Sequence, residues 1–456
     1  MIDEQWLGFS KSDLVVEAEQ LHDEGAALPD LLLEELDSLL NHPGPEDQAF
    51  RDRVRRLLTQ TAHLPATPDY PFNEPSDLAG IQAERPASTK QMSKLNLSEK
   101  DYFNRVYGAW LGRCSGCLLG IPIEGLFVQD FRPYLQGIGQ YPLTRYLDSS
   151  IPDELKAKYT FVTERGYIDE IDHMVENDDT NYTVISLAVL EKYGWDFKPE
   201  HIAAFWLENL PAYHTFTAER VAYRNFLLMK TPPNSASYCN PFREWIGAQI
   251  RGDFWGYVCP GNPAKAAELA WRDACISHVK NGIYGEMWVA AMCSAAVVLD
   301  SPRQVLEAGL AQVPENCRLT NDVHKVMDWY DAGMDVQQAL MLIHQRWDDT
   351  NPHHWCHTLS NAQIVTLGLL WGENDFEKSI SWAVTAGIDT DCNGATVGSI
   401  MGMLHGADCL PTKWIDPLNN QLDTGISGYH HVYLSDVAQL TVDLAKQGGF
   451  TPSPLH

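Results

Sequence analysis

Basic residues are scarce: 33 Lys and Arg stand against 61 Asp and Glu, a formal net charge of −28. A field of that sign repels phosphate backbones and anionic lipid, so neither nucleic acid nor a membrane surface is expected as a partner. A small anionic ligand stays compatible wherever a bound divalent cation reverses the sign locally. Long apolar runs are also missing; the longest, residues 287–299 with one Ser, falls short of the roughly 20 residues a bilayer requires. The ten cysteines are scattered without disulfide-like spacing, and the one CxxC, Cys114 and Cys117, reads as apolar packing on a helix. The opening residues lack a basic stretch followed by an apolar one, so no secretory leader and a reducing, cytoplasmic setting are expected. A Walker loop and a strand-to-helix GxGxxG are absent, which removes support for nucleotide-phosphate or dinucleotide redox binding.

What is present is ordinary globular composition, 45% apolar over 456 residues, enough for a large core without metal or disulfide staples. Residues 1–97 read as a helical extension and linker, with helical spacing at 31–40 and 50–58 and an irregular Pro-, Asp- and Asn-rich stretch over 65–88. The motifs described below lie outside it, so it is expected to be dispensable for chemistry. From residue 98 to 456 the pattern predicts one compact all-α domain. Helices are expected at about 98–118, 180–193, 199–209, 216–229, 263–278, 283–299, 303–312, 318–331, 335–346, 358–371, 376–386, 393–406 and 434–446. Two of these carry glycine every fourth residue: Gly108, Gly112, Gly116 and Gly120, then Gly394, Gly398, Gly402 and Gly406. Each mid-helix glycine costs roughly 0.8–1 kcal/mol relative to Ala. Such a row is expected where two helix backbones approach closely.

Acidic residues gather at the ends of these rows. Glu124 follows the first row, and Asp389, Thr390, Asp391, Cys392 and Asn393 precede the second. A third group, Asn177, Asp178, Asp179 and Thr180, opens another helix. Either of the two latter groups alone is most simply a helix cap. Together, with the glycine rows antiparallel, they would place five carboxylates at one bundle end, which repel unless protonated or neutralised by cations. Hard oxygen ligands select Mg²⁺, Mn²⁺ or Ca²⁺ over zinc.

These residues resemble, in order, the motifs of the ADP-ribosylglycohydrolase family, which includes the dinitrogenase-reductase-activating glycohydrolases. Gly108-Ala109-Trp110-Leu111-Gly112 through Gly120-Ile121-Pro122-Ile123-Glu124 resembles the opening motif, and Asn177-Asp178-Asp179-Thr180 the TDDT motif. Gly387-Ile388-Asp389-Thr390-Asp391 and Leu410-Pro411-Thr412-Lys413-Trp414 resemble the GGDTDT and closing segments. Residues Ile246 to Arg251 are similar to an NGxxMR motif and Ser277-His278 to a Thr-His pair. The resemblance spans residues 98–446. It implies an all-helical fold holding one or two Mg²⁺ or Mn²⁺ ions and cleaving the glycosidic bond at C1″ of an ADP-ribosyl conjugate. By position, it implies metal ligands Asn177, Asp178, Asp179, Asp389, Asp391 and Cys392, with Asp391 bridging. Glu124 and Asp179 are the implied catalytic carboxylates, acting on water or leaving group. The implied substrate contacts are Gly247, Arg251, His278 and Asn393. Gly282 and Gly285 could admit a ligand to the backbone, with Tyr284 stacking on its base.

The chain departs from the family pattern at Cys117, where an Asp is usual, at Asn177 and Cys392, which replace Thr, and at Ile246, which replaces Asn. These differences touch the substrate more than the metal or the glycosidic chemistry. Three readings follow: a hydrolase of ADP-ribosyl conjugates on protein or small acceptors, a hydrolase of a smaller N-riboside or modified nucleoside, and a non-catalytic crystallin-like binding member. His353 and His357 have HxxxH spacing, but no helix is expected at Pro352 and no zinc site with it; pocket-lining or surface histidines are expected. The 14 tryptophans are expected mainly at helix interfaces, with some as aromatic walls for a planar ligand.

Overall fold

In a computed structural model of the chain, which describes residues 6–87, 96–150 and 165–453, every helix expected in the body is present. They span Glu99–Gly120, Asp178–Tyr193, Pro199–Asn209, Thr217–Leu227, Pro263–Ala274, Lys280–Ala296, Pro302–Leu310, Arg318–Asp331, Val336–Arg346, Thr358–Trp371, Phe376–Thr385, Thr390–His405 and Leu434–Gln447. The protein is mostly helical; among the described residues the named strands are β1 (Gln421–Asp423) and β2 (His431–Tyr433), paired antiparallel. The end of the irregular 65–88 stretch, Ser88, lies outside the described residues; within it, Leu78–Ala83 forms a short helix capped by Asp77.

The boundaries that moved are informative. The helices expected to begin at 180 and 393 begin at Asp178 and Thr390, so the acidic groups occupy first turns rather than preceding loops. Pro352–Cys356 is a short helix with Pro at its first position, where the missing N–H has no partner to lose, which corrects the expectation of no helix there. Val128–Gly137 is also helical, with Pro133 inside it.

The glycine rows form the axis of the fold. A Cβ added to Gly112 would overlap the carbonyl oxygen of Gly398, one on Gly398 that of Gly112, and Gly116–Gly394 and Gly108–Gly402 repeat the relation. The two helices are therefore antiparallel and in backbone contact, as the spacing predicts. At the far end Gly120 meets the backbone of Thr390 and Asp391, so the acidic groups are drawn together. Gly406 ends the row as the C-cap, at φ 81°, with its backbone against Gly108.

The extension contributes a helix the apolar pattern did not reveal, Lys11–Asp23, opened by a Ser10/Asp13 capping box. Its buried face carries Asp13, Glu17 and Gln20 beside Leu14, Val16 and Leu21, so apolar periodicity is weak there. Those acids meet buried cations of the body. Arg243 binds Glu17 at 2.6 Å and Glu24 at 2.8 Å, and Arg318 binds Glu74 at 2.7 Å. Extension and body thus share a buried polar interface, beside a small apolar cluster of Leu14, Leu39, Phe50, Val54 and Leu57.

Removing Arg243 leaves two buried carboxylates facing each other. Breaking such a pair costs about 3–5 kcal/mol. Arg243→Ala is expected to lower unfolding free energy by that amount in urea denaturation, whereas Glu35→Ala, which loses a partly exposed pair to Arg53, changes it by about 0–1 kcal/mol.

Candidate metal centre

The carboxylates at the bundle end are not explained by capping. Asp389 occupies the N-cap of the Thr390–His405 helix, yet its side chain makes no capping bond. It is reached through Gly387 and Ile388, both at positive φ (85° and 64°). For a β-branched residue that conformation costs roughly 1–3 kcal/mol and persists only where the surroundings enforce it. Asp179, Asp389 and Asp391 are buried, whereas Glu124 and Asp178 are only partly so. The Asp389 and Asp391 oxygens and the Cys392 sulfur fall within 4.8 Å of one another, and so do the ligand atoms of Cys117, Asp179 and Asp391. Asp391 is the member common to both groups, the position expected to bridge.

Several oxygens in this centre are buried without a hydrogen-bond partner: both of Asp179, and one each of Asp389, Asp391 and Asn393. Unpaired buried carboxylate oxygens are costly, and a set of them converging on one spot is a hard-cation donor set. The residues therefore fit Mg²⁺ or Mn²⁺. Asn177, expected as a ligand, already holds two bonds in this cluster. Its Oδ1 accepts the Asp179 backbone N–H at 2.9 Å while its Nδ2 donates to Asp391 Oδ2 at 3.0 Å. It caps one helix and aims the carboxylate of another.

The orientation of the Asn393 amide is set by Asn361. Asn361 donates from Nδ2 to the carbonyls of Trp355 and His357, at 3.0 and 2.9 Å, which fixes its amide. Its Oδ1 then accepts from Asn393 Nδ2 at 2.8 Å and from the Asp389 backbone N–H at 3.3 Å. That leaves the Asn393 oxygen as the unpartnered end. Burial and the neighbouring Asp179 raise the Cys392 thiol well above its usual range, so it stays protonated and is a poor hard-metal ligand.

Sequence reasoning missed Arg113 and Asn361. Arg113 is fully buried, binds Asp253 at 2.9 Å, donates to the Asp179 carbonyl at 2.7 Å, and stands 3.6 Å from Asp179 Oδ1. Its signal was available: it is the one charged residue from Val106 to Gly120.

Other expected substrate contacts lie elsewhere. Tyr284 is fully buried and its hydroxyl donates to the Pro75 carbonyl, so it does not stack on a base. Arg251 is enclosed by Glu219 at 2.7 Å, Asp273 at 3.1 Å and Glu286 at 3.5 Å, with Gly247 packed on the Glu219 carboxylate. Gly282 abuts the Arg243 carbonyl and His278, and Gly285 abuts Thr358 and Gln249; both admit protein rather than ligand. His278 is fully buried and bonded to Ser277 Oγ at 2.8 Å.

His353 and His357 are buried rather than at the surface, and face Asp23 of the extension. Trp245 Nε1–H donates to His353 Nδ1 at 2.9 Å and the Leu359 N–H to His357 Nδ1 at 3.1 Å. Both Nδ1 atoms thus accept, so the neutral rings carry their proton on Nε2, toward Asp23. His353 Nε2 donates to Asp23 Oδ2 at 3.1 Å and His357 Nε2 stands 3.9 Å from it, so in that tautomer neither nitrogen offers a lone pair to a metal.

The family model described as ADP-ribosylglycohydrolase matches residues 98–448. An uncharacterized protein of Archaeoglobus fulgidus is 23% identical over 324 residues, covering 68% of this chain and 90% of its own. A solved structure described as an ADP-ribosylglycohydrolase-related protein complex matches 76% of this chain and 99% of its own at 18% identity, with a TM-score of 0.45. The chain belongs to the ADP-ribosylglycohydrolase family.

Two outcomes are expected of the centre. Saturating Mg²⁺ or Mn²⁺ should stabilise chelator-treated protein, by about 2.7 kcal/mol at a hundredfold excess over Kd. Asp391→Asn should abolish the shift in a thermal melt; a variant that keeps it would move the ion elsewhere. The second outcome concerns protons. Without cations, burial and then the Asp391 charge raise Asp178 to about 7, and Asp179 and Asp389 well above the usual carboxylate range. These groups hold protons in the fold that the unfolded chain has released by about pH 4–5. Their protonation favours the fold at acid pH, and that contribution is lost as pH rises through about 7 and above. A cation expels the same protons, so Mg²⁺ affinity should rise between about pH 6 and pH 8, with proton release seen in calorimetry across buffers of different ionisation enthalpy.

Proposed function

We propose that this member of the ADP-ribosylglycohydrolase family is a metal-dependent hydrolase of the C1″ glycosidic bond in an ADP-ribosyl or related ribosyl conjugate. The observation that carries the reading is the arrangement of the acids. Three are buried with unpaired oxygens, and two, Glu124 and Asp178, stand at the partly exposed side of the same cluster.

Asp179, Asp389, Asp391 and the Asn393 oxygen would hold Mg²⁺ or Mn²⁺, with Asp178 at their edge. A bound ion supplies Lewis-acid charge that orients the ribose diol and polarises water. Arg113 and Asn177 keep Asp179 and Asp391 in place. Glu124 is the group suited to proton transfer: the charge of Asp391, then burial, raises its carboxyl well above the usual range. Its proton would pass to the departing nitrogen or oxygen as the bond to C1″ breaks, and the carboxylate left behind would take one back from the water that adds to C1″, so the bond broken and the bond formed balance.

A second reading, hydrolysis of a smaller N-riboside, is favoured by one observation. Arg251, His278 and Tyr284, expected to reach substrate, are turned into the protein, which leaves the remainder of an ADP-ribosyl group without those contacts.

Metal-loaded protein is expected to release ADP-ribose, or the free ribosyl product of a smaller riboside, in a chromatographic assay. Glu124→Gln should lower kcat by roughly 10²–10⁴ while the number of bound ions stays the same. A wild-type protein that binds the ions yet cleaves neither substrate class would return the chain to the non-catalytic reading.

A further inference from the structure

A second cluster with metal-ligand character lies on the surface, in the short sheet. Asp423 on β1 and His431 on β2 are direct cross-strand partners. The segment carrying His173 runs beside them, fixed by a bridge between Met174 and Leu422 and by bonds from Met174 N–H to the Gln421 carbonyl and from Asp423 N–H to the Met174 carbonyl. Three backbone segments thus hold three ligand side chains in register, and their ligand atoms fall within 4.8 Å of one another.

Both ring nitrogens of His173 face carboxylates. Asp172 Oδ1 lies 2.6 Å from His173 Nδ1, and a carboxylate only accepts, so Nδ1 carries a proton. Nε2 lies 3.0 Å from Asp423 Oδ2, an ion-pair contact whose proton a metal ion seated between the two atoms would displace. Two ligand atoms bound tetrahedrally to one zinc ion at about 2.0–2.1 Å stand about 3.3 Å apart, close to that separation. A carboxylate behind the distal ring nitrogen is the arrangement that orients a metal-binding imidazole and raises its basicity. On the other side, His431 Nδ1 lies 2.6 Å from Asp423 Oδ1 and so carries a proton that a bound ion would also displace, with the His431 and His173 rings edge to face at 5.4 Å. The side chains of His173, Asp423 and His431 are 24%, 42% and 45% exposed, so an ion can enter from solvent.

We infer that His173, Asp423 and His431 form a binding site for a first-row divalent transition ion, of which Zn²⁺ is the probe, separate from the carboxylate centre. Two imidazoles and one carboxylate suit zinc and its neighbours and are a poor set for Mg²⁺, which takes oxygen. The fourth position is left to water. The ion would tie β1 and β2 to the segment that runs four residues on to the Asn177 cap, and so brace the entrance to the Asp178 helix.

The test is calorimetric titration of full-length, chelator-treated protein with Zn²⁺ in saturating Mg²⁺, which occupies the oxygen-rich centre first. One Zn²⁺ per chain is expected. His431→Ala and Asp423→Asn should each weaken uptake by about 100-fold or more, and Asp172→Asn by roughly 10–100-fold through the lost support of His173. Circular dichroism checks that these surface variants are folded. Asp391→Asn and Cys409→Ser should leave uptake unchanged, the latter because Cys409 is the one exposed thiol among the described residues. Co²⁺ in the same protein should give visible bands that disappear in His431→Ala. No Zn²⁺ uptake by wild type, full affinity in His431→Ala, or loss of uptake in Cys409→Ser or Asp391→Asn would each overturn the inference.

Discussion

Contact between two helix backbones sets the geometry on which everything else rests. Gly108, Gly112 and Gly116 meet Gly402, Gly398 and Gly394 with no side chain between them. At roughly 0.8–1 kcal/mol each, these six glycines forgo about 5–6 kcal/mol of intrinsic helix preference. What offsets this is packing: both helices are buried along nearly their whole length. An antiparallel pair in such close contact brings the C-terminal end of one against the N-terminal end of the other. Glu124 and Asp391 are neighbours for that reason, although 267 residues of chain part them (391 − 124).

A protein with so large a negative excess handles its internal charge through a few buried arginines, each shared by more than one acid. Arg113 serves Asp179 and Asp253, Arg243 serves Glu17 and Glu24, Arg318 serves Glu74 and Glu244, and Arg251 serves Glu219, Asp273 and Glu286. The pattern distinguishes support from function. Acids beside an arginine are neutralised by the protein. At the bundle end one arginine, Arg113, stands 3.6 Å from Asp179, and Asp179, Asp389 and Asp391 keep oxygens without a hydrogen bond among the described residues. A polar chain of hydrogen bonds runs from the His357 carbonyl through Asn361 to Asn393 and Asp389, and the His357 ring at its far end lies 3.9 Å from Asp23 of the extension.

Much of this was legible in the sequence because it is written in periodicity. Helices with apolar stripes, glycines four apart and acids at helix starts are each visible without coordinates. The Lys11–Asp23 helix escaped because its buried face is largely polar, and its only local sign was the Ser10/Asp13 pair. Pro352–Cys356 escaped because a proline that ends one helix also starts another. Site residues were legible by position and not by direction. Asn177, Arg251 and His278 occupy motif positions and Tyr284 lies between two glycines, but the partners that Asn177, Arg251 and Tyr284 find are distant in sequence, Asp391, Glu219 and Pro75, while His278 bonds its neighbour Ser277. Arg113 and Asn361 lacked a motif; the first showed as an isolated charge in an apolar helix, and the second offered no signal, since a buried asparagine in a helix is not marked by its neighbours.

The helix pairing also has a consequence for how the chain comes into being. Arg105 at the start of the first glycine helix bonds to the carbonyl of Met403 in the second, 298 residues later. At roughly 5–20 residues per second of synthesis, the first helix waits about 15–60 s for its partner to emerge. During that interval its bare stripe, shaped to admit another backbone, is open to any passing helix. Contacts of this sequence separation favour slow folding once the chain is released.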